Sequence, residues 1–312
     1  MNPGTRKELS LMARKRIPVI LDTDIGGDID DTWALGFMLR CPELDVRLVV
    51  SGTEDTRYKA KIVAKFHEAV GRADIPVGIG VPTQYDPVHK TQAAWVEDYR
   101  LEDYSGTVHE DGVAALIDTI MRSRETITLI CIGPVPNIRE ALKREPRIAP
   151  KCRFVGMHGS IHMGHDGRPG AVAEYNVVRD VAGAKAVFTA PWKSMVITPL
   201  DSCGYVVLYG PKYQQVRASK DPMAATIIQN YRIWRNSGGI FETRSSILYD
   251  TVAIYLAYTD ALLKMETLPI VITDDGHTKV DPKHGKRMRV ATGWRDLQAF
   301  DDLLVARLTG GK

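Results

Sequence analysis

The feature that most constrains the fold of this 312-residue chain is an alternation of short, continuously apolar runs with amphipathic segments. A continuous apolar run, rather than one that alternates with polar residues, is typical of a parallel strand covered on both faces. Such runs occupy residues 17–21, 46–50, 76–79, 127–131, 152–157 and 194–198. We therefore predict an α/β fold with a Rossmann-like, open, mostly parallel sheet and helices on both faces.

Helical periodicity fills the segments between these runs. Segments 57–70 and 111–124 carry apolar residues on one helical face, and Gly71 follows the first at the position where glycine commonly ends helices. The final third of the chain reads as helical, except for a small hairpin expected at Asp275-Gly276. A last helix is predicted over 296–308.

Domain organisation follows from what the sequence lacks. We find no internal repeat or Ser/Pro-rich linker, so residues 17–312 are expected to form a single domain. Residues 1–16 carry several Lys and Arg but no apolar stretch of about 7 to 15 residues, as a secretory signal would need. We expect them to be a solvated tail.

Composition restricts the class of protein. The net charge of +3 is too small to suggest a nucleic-acid partner, and no apolar run reaches the roughly 18 residues of a membrane span. The four cysteines form no CxxC pair and no disulfide framework in a chain of this length. A reducing, cytoplasmic location is the default expectation.

Five aspartates lie within ten residues, directly after the first predicted strand: Asp22, Asp24, Asp28, Asp30 and Asp31. Capping of a helix N-terminus uses one or two carboxylates, so it explains only part of this cluster. A hard cation would relieve the repulsion, and carboxylate oxygens are the ligands that Ca²⁺ and Mg²⁺ take. Since ligands bind at the carboxyl ends of the strands in open α/β sheets, the sequence predicts a metal site here.

Two known kinds of acidic loop share part of this pattern. An EF-hand loop would place Trp33 where a bidentate Glu is required, and a strand precedes the segment, so this interpretation fails. A Mg²⁺-dependent phosphatase of the haloacid dehalogenase type also begins with strand-Asp-x-Asp. Here, however, Ile25-Gly26-Gly27 leads into a further acidic triplet.

The segment DTDIGGDIDD at residues 22–31 resembles the signature of the inosine–uridine nucleoside hydrolase family, in its longer version with an extra pair of residues before the final Asp-Asp. Other similarities follow in the family's order: IGPVPN at 132–137, MHGS at 157–160, AEYN at 173–176 with Asp180, and LYDTVA at 248–253. The resemblance implies a Ca²⁺-dependent hydrolase that cleaves the N-glycosidic bond of a nucleoside. It also implies a homodimer or homotetramer.

The resemblance implies a role for individual residues. Ca²⁺ would be held by the carboxylates of Asp24, Asp31 and Asp250 and by the backbone carbonyl of Ile132. Asp30 would be the general base that takes a proton from the attacking water, which is chemistry that a carboxylate beside a cation can perform near neutral pH.

Ribose recognition is implied for a further set of residues. Glu174 and Asn176 would bind ribose hydroxyls, although a turn before a helix capped by Asp180 would explain them too. Asp22 would orient the ribose or a metal ligand.

Four more residues are candidates for substrate binding. Asp55 is expected either to contact ribose or to cap the following helix. His109 would face the cleft or begin a helix. Among the aromatic residues, Tyr231 and Trp234 are the ones expected to stack on the nucleobase.

The chain departs from the family's pattern at two places. Tyr249 stands where many purine-cleaving members have the histidine that protonates the leaving base, and a tyrosine hydroxyl is a poor acid but a usable hydrogen-bond donor. Arg168-Pro169 replaces a turn whose Asn would bind the 5′-hydroxyl. Base preference is therefore open, and a nucleoside- or sugar-binding protein without turnover is an alternative.

Three histidines, His158, His162 and His165, have a spacing compatible with zinc. They follow a predicted strand in a glycine-rich segment. The other interpretation places them in a loop near the ribose.

Overall fold

The computed structural model describes residues 15–84, 89–236 and 243–311, so nearly all of the expected tail over residues 1–16 lies outside the described residues. The described chain contains ten strands that join one sheet. They are β1 (Ile17–Thr23), β2 (Leu44–Ser51), β3 (Val77–Ile79), β4 (Val108–His109), β5 (Ile127–Cys131), β6 (Cys152–Met157), β7 (Ser194–Thr198), β8 (Leu263–Ile272), β9 (Thr278–Val280) and β10 (Lys286–Trp294).

The strand order is β4-β3-β2-β1-β5-β6-β7-β10-β8-β9. In this spatial order, all neighbouring strands from β4 as far as β10 are parallel. Strand β8 is antiparallel to both of its neighbours, β10 and β9. The fold class is therefore confirmed, and all six predicted strands are present. The expected hairpin is confirmed too, since the turn at Asp275-Gly276 joins β8 to β9 and Gly276 has a φ of 81°.

Helices follow most strands of the parallel part of the sheet. Within the described residues they are α1 (Asp30–Leu39), α2 (Thr56–Ala69), α3 (Gly112–Arg122), α4 (Pro136–Arg144), α5 (Tyr175–Val178), α6 (Val181–Thr189), α7 (Leu200–Cys203), α8 (Gly210–Ala218), α9 (Pro222–Trp234), α10 (Thr251–Leu256) and α11 (Leu297–Leu308). None of these helices is long and apolar enough to cross a bilayer.

Both faces of the sheet are covered, which explains why β1 is continuously apolar. Val19 and Leu21 belong to one buried apolar cluster, together with residues of α1, α2 and α9. Ile20, which points to the opposite face, belongs to a second cluster with residues of α3, α4 and α6. Residues 18–23 of β1 are thus buried whichever way their side chains point.

The sheet has a topological switch point at β1. The chain leaves β1 to form β2 on one side, while β5 lies on the other side, so the connections diverge and open a crevice at the carboxyl ends. The aspartate segment begins within β1 and continues into α1, which places it at this crevice.

Candidate active site

A cavity of about 520 Å³ lies at the crevice. Its size is within the usual range of small-molecule sites, roughly 300–1,000 Å³. The lining residues come from the ends of β1, β2, β3, β5, β6 and β7 and the segments that follow them, and from α9 and the chain before α10: Asp24, Gly27, Asp28, Asp30, Asp31, Glu54, His89, Thr91, Ile132, Met157, His165, Glu174, Tyr175, Asn176, Leu200, Trp234, Tyr249 and Asp250.

Three buried carboxylates converge in this cavity. Asp30 and Asp31 open α1, and Asp250 immediately precedes α10, yet one oxygen from each lies within 4.8 Å of the others. Thr23 orients the cluster from β1, because its Oγ1 donates a hydrogen bond of 2.5 Å to Asp31 Oδ1. The fold therefore brings residues from distant parts of the chain to one point.

The three carboxylates of this cluster are electrostatically unfavourable without a cation. Burial raises the pKa of Asp30, Asp31 and Asp250 well above the ordinary aspartate value, and the neighbouring carboxylates raise each pKa further. Ionising all three without a compensating cation would be costly. An all-oxygen donor set of this kind fits a hard divalent cation.

The other two expected ligands line the same cavity. Asp24 lies outside the tight group of three, and burial raises the pKa of its carboxyl. A Cβ at Gly133 would come within 2.6 Å of Asp24 Oδ1, so glycine leaves room for this carboxylate. The carbonyl oxygen of Ile132 accepts a hydrogen bond of 3.2 Å from Asn176 Nδ2.

Glu174 and Asn176 are cavity residues that also organise the backbone. Glu174 caps α5 and accepts hydrogen bonds from the backbone N–H of Asn176 at 2.7 Å and of Gly159 at 2.9 Å. Burial raises the pKa of Glu174 to about 7. Glu174 can thus cap α5 and still contact a ligand in the cavity.

Asp22 lies beneath the cavity and is fully buried. Its carboxylate accepts hydrogen bonds from Asn137 Nδ2 at 2.7 Å and from the thiol of Cys131 at 3.5 Å. Burial raises the pKa of Asp22 to about 7, and Asn137 also bonds the carbonyl of Ser51, so the pair ties the ends of β1, β2 and α4 together. Asp22 therefore supports the site from behind its lining.

Besides Asp22, three of the expected substrate contacts do not line this cavity. Asp55 caps α2 by accepting from Tyr58 N at 3.0 Å, and it pairs with Lys90 outside the cavity. His109 belongs to β4 at the sheet edge, three strands from β1, and the helix after it begins only at residue 112. Tyr231 is buried behind Trp234, with their ring centroids 5.6 Å apart.

Trp234 and Tyr249 do line the cavity, as expected for residues that meet a nucleobase. Burial raises the pKa of the Tyr249 hydroxyl, and nearby acidic groups raise it further. The hydroxyl is therefore a hydrogen-bond donor and not a source of protons at neutral pH.

The three histidines separate. His158 is buried beside Gly133, and its Nε2 lies 3.1 Å from the Gly133 carbonyl oxygen. His165 lines the cavity, whereas His162 is exposed and does not line it. Among the described residues, no group of three side chains that could hold a metal includes a histidine, which removes the basis for a zinc site.

Sequence reasoning missed Glu54, His89 and the lysine that supports them. Thr53 and Glu54 adopt positive φ values of 61° and 51°, and this turn places Glu54, rather than Asp55, at the cavity. One signal was available: Lys59 lies three, four and seven residues before Ile62, Val63 and Phe66, on the apolar face of α2. A lysine there predicts a buried partner.

Comparison with known proteins decides the family. The model described as inosine-uridine preferring nucleoside hydrolase matches residues 19–302. The chain belongs to this family. The resemblance drawn from residues 22–31 is thus confirmed, and membership in the family replaces the dehalogenase-type phosphatase as the explanation of the strand-Asp-x-Asp segment.

Individual nucleoside hydrolases share parts of the sequence and the whole fold. The non-specific ribonucleoside hydrolase RihC of Escherichia fergusonii is 31% identical over 187 residues, which are 55% of this chain and 58% of the relative. The match therefore spans little more than half the length of this curated relative.

Two solved structures are similar over nearly their full length. A plant nucleoside hydrolase, PpNRh1, is 21% identical with a TM-score of 0.79, over 95% of this chain and 99% of that one. The purine-preferring ribonucleoside hydrolase of Gardnerella vaginalis is 20% identical with a TM-score of 0.75, over 94% and 98%. At these identities the comparison shows the shared fold.

Proposed function

We propose that this protein is a Ca²⁺-dependent nucleoside hydrolase that cleaves the N-glycosidic bond of a ribonucleoside to free base and ribose. The observation that carries the proposal is the convergence of Asp30, Asp31 and Asp250 within 4.8 Å at one end of a cavity of nucleoside size. Membership in the family supports the same activity.

Asp24, Asp31, Asp250 and the Ile132 carbonyl would hold the cation, a set of oxygens that suits Ca²⁺. When bound, Ca²⁺ would orient the sugar hydroxyls and lower the pKa of a coordinated water. Asp30 is the remaining carboxylate of the cluster, and it removes the proton from the attacking water.

The rest of the cavity recognises the substrate. The Glu174 carboxylate and the Asn176 side-chain oxygen accept hydrogen bonds from ribose hydroxyls, since the Asn176 amide nitrogen donates to the carbonyls of Ile132 and Met157. Asp22 keeps the strand ends in place. As the C–N bond breaks, the sugar acquires oxocarbenium character, which the surrounding carboxylates stabilise. Trp234 stacks on the base and Tyr249 donates a hydrogen bond to it.

The experiment that tests this proposal measures ribose release from a panel of purine and pyrimidine nucleosides and from p-nitrophenyl riboside, with Ca²⁺ and with chelator. Ca²⁺-dependent release supports the proposal. Tight nucleoside binding in calorimetry without any release would instead favour a binding protein without turnover. Size measurement in solution tests the predicted homodimer or homotetramer, and cell fractionation tests the predicted cytoplasmic location.

A further inference from the structure

A buried ion pair lies beside the cavity. Lys59 Nζ is 3.2 Å from Glu54 Oε2, and the two side chains are only 1% and 2% exposed. The same ammonium donates to Thr53 Oγ1 at 3.0 Å and to the Asp24 carbonyl at 2.9 Å. All three of its donor positions are thereby used, so Lys59 and the turn at residues 53–54 hold each other in place.

The turn at residues 53–54 has a backbone conformation that is uncommon for non-glycine residues. Thr53 and Glu54 are consecutive non-glycine residues with positive φ, and their conformation directs the Glu54 carboxylate to the cavity. Backbone strain persists where the surroundings over-determine it, and it clusters at functional sites.

The second oxygen of Glu54 holds His89. Oε1 is 2.9 Å from His89 Nδ1 and 3.3 Å from the His89 backbone N–H. Because a carboxylate only accepts, Nδ1 carries the hydrogen, which fixes the ring orientation. His89 lines the cavity, its side chain is 38% exposed, and its Nε2 makes no hydrogen bond to any described residue.

We propose that His89, positioned by Glu54 and Lys59, donates the proton to the departing base in place of the histidine that Tyr249 replaces. This inference rests on the proposed function. In the Lys59–Glu54–His89 arrangement, a buried charge pair fixes an imidazole at the cavity. Carboxylates orient histidine rings in this way at other functional sites.

Two proton transfers accompany cleavage of the glycosidic bond. As the C1′–N bond breaks, its electron pair goes to the base nitrogen, which takes the Nε2 proton of the His89 imidazolium. The water oxygen bonds to C1′ and its proton passes to Asp30. His89 then recovers a proton from solvent and Asp30 releases one, so that nucleoside and water give base and ribose.

The test compares substrates that differ in their need for a proton. In His89→Ala, kcat/KM for inosine and uridine should fall by about 10²-fold or more, while that for p-nitrophenyl riboside changes by less than about threefold. His162→Ala, an exposed histidine outside the cavity, is the matched control and should change neither. Equal losses on both substrates, or no loss, would overturn the proposal.

Glu54→Gln tests the positioning role. It should produce the same selective loss, and it should add nothing further to natural-nucleoside cleavage in the His89→Ala background, because the two residues act as one unit. If His165→Ala shows the selective loss instead, His89 is not the donor. If Glu54→Gln does not fold, the comparison of the His89 and His165 variants decides the assignment.

Failure of this inference is distinguishable from failure of the proposed function. A wild-type protein that releases ribose from neither substrate refutes both. A wild-type protein that cleaves both substrates, with no selective loss in His89→Ala, refutes only the role of His89.

Discussion

Replacing Lys59 with methionine would remove the cation from a buried charge pair while keeping an unbranched side chain. Glu54 is only 2% exposed and would lose its buried ion-pair partner, keeping only the more exposed His89. Removing one member of a buried pair costs about 3–5 kcal/mol, because the remaining charge stays desolvated. The variant also loses the hydrogen bonds to Thr53 and Asp24. We therefore expect the free energy of unfolding to fall by about 3–5 kcal/mol.

Urea denaturation at pH 7 would measure this loss as a lower transition midpoint at an unchanged slope. A double variant, Lys59→Met with Glu54→Gln, should recover a large part of the lost stability, because it removes both charges and leaves no uncompensated carboxylate buried. A loss below about 1 kcal/mol, the size expected of an exposed pair, would refute the reasoning. So would a double variant that is less stable than Lys59→Met.

Four further outcomes are expected. Asp31→Ala should abolish tight Ca²⁺ binding in calorimetry and remove the rise in melting temperature on adding Ca²⁺, and an unchanged affinity would refute the metal assignment. Asp30→Asn should still bind Ca²⁺ but lose roughly 10²–10⁴-fold in kcat, and near-wild-type turnover would assign the water's proton to another group. Tyr249→Phe should slow natural nucleosides about tenfold, as the loss of one hydrogen bond predicts, and leave p-nitrophenyl riboside nearly unaffected; equal losses would mean that it supports Asp250 instead. Burial lowers the pKa of His67 to about 4, below its ordinary value of 6.5, so the unfolded chain binds this proton first as the pH falls. The free energy of unfolding therefore decreases from about pH 6.5 down to about pH 4, and the loss due to His67 is about 2 kcal/mol at pH 5. In urea titrations, the decrease between pH 7.5 and pH 5 should be larger in wild type than in His67→Leu by about 2 kcal/mol.

The parallel core of the fold could be predicted because each of its strands is buried on both faces and leaves a continuous apolar run. The run at residues 17–21 is such a case, with Ile20 facing one apolar cluster and Leu21 the other. Strand β10 was not predicted. Its sequence alternates exposed basic residues with buried apolar ones, and its place between β7 and β8 depends on pairing with distant residues.

The candidate site was predictable to the extent that it consists of adjacent carboxylates. Five aspartates in ten residues indicate a cation whatever the fold, and Asp250 came from the resemblance to the family. Glu54 and Asp55 could not be told apart in the same way. Which of them reaches the cavity depends on two positive φ values, and neither Thr53 nor Glu54 is a residue type that signals such a conformation.

The expected metal ligands are spread over most of the chain, from Asp24 to Asp250, and this spread has a kinetic consequence. The ligands meet only once β1 and β5 are paired and α10 has packed against the sheet. A cation that binds only this assembled arrangement stabilises the native state but not a chain in which the ligands are still apart. We therefore expect Ca²⁺ to slow the unfolding of the protein far more than it accelerates refolding, and to protect α10 and β1 from proteolysis together.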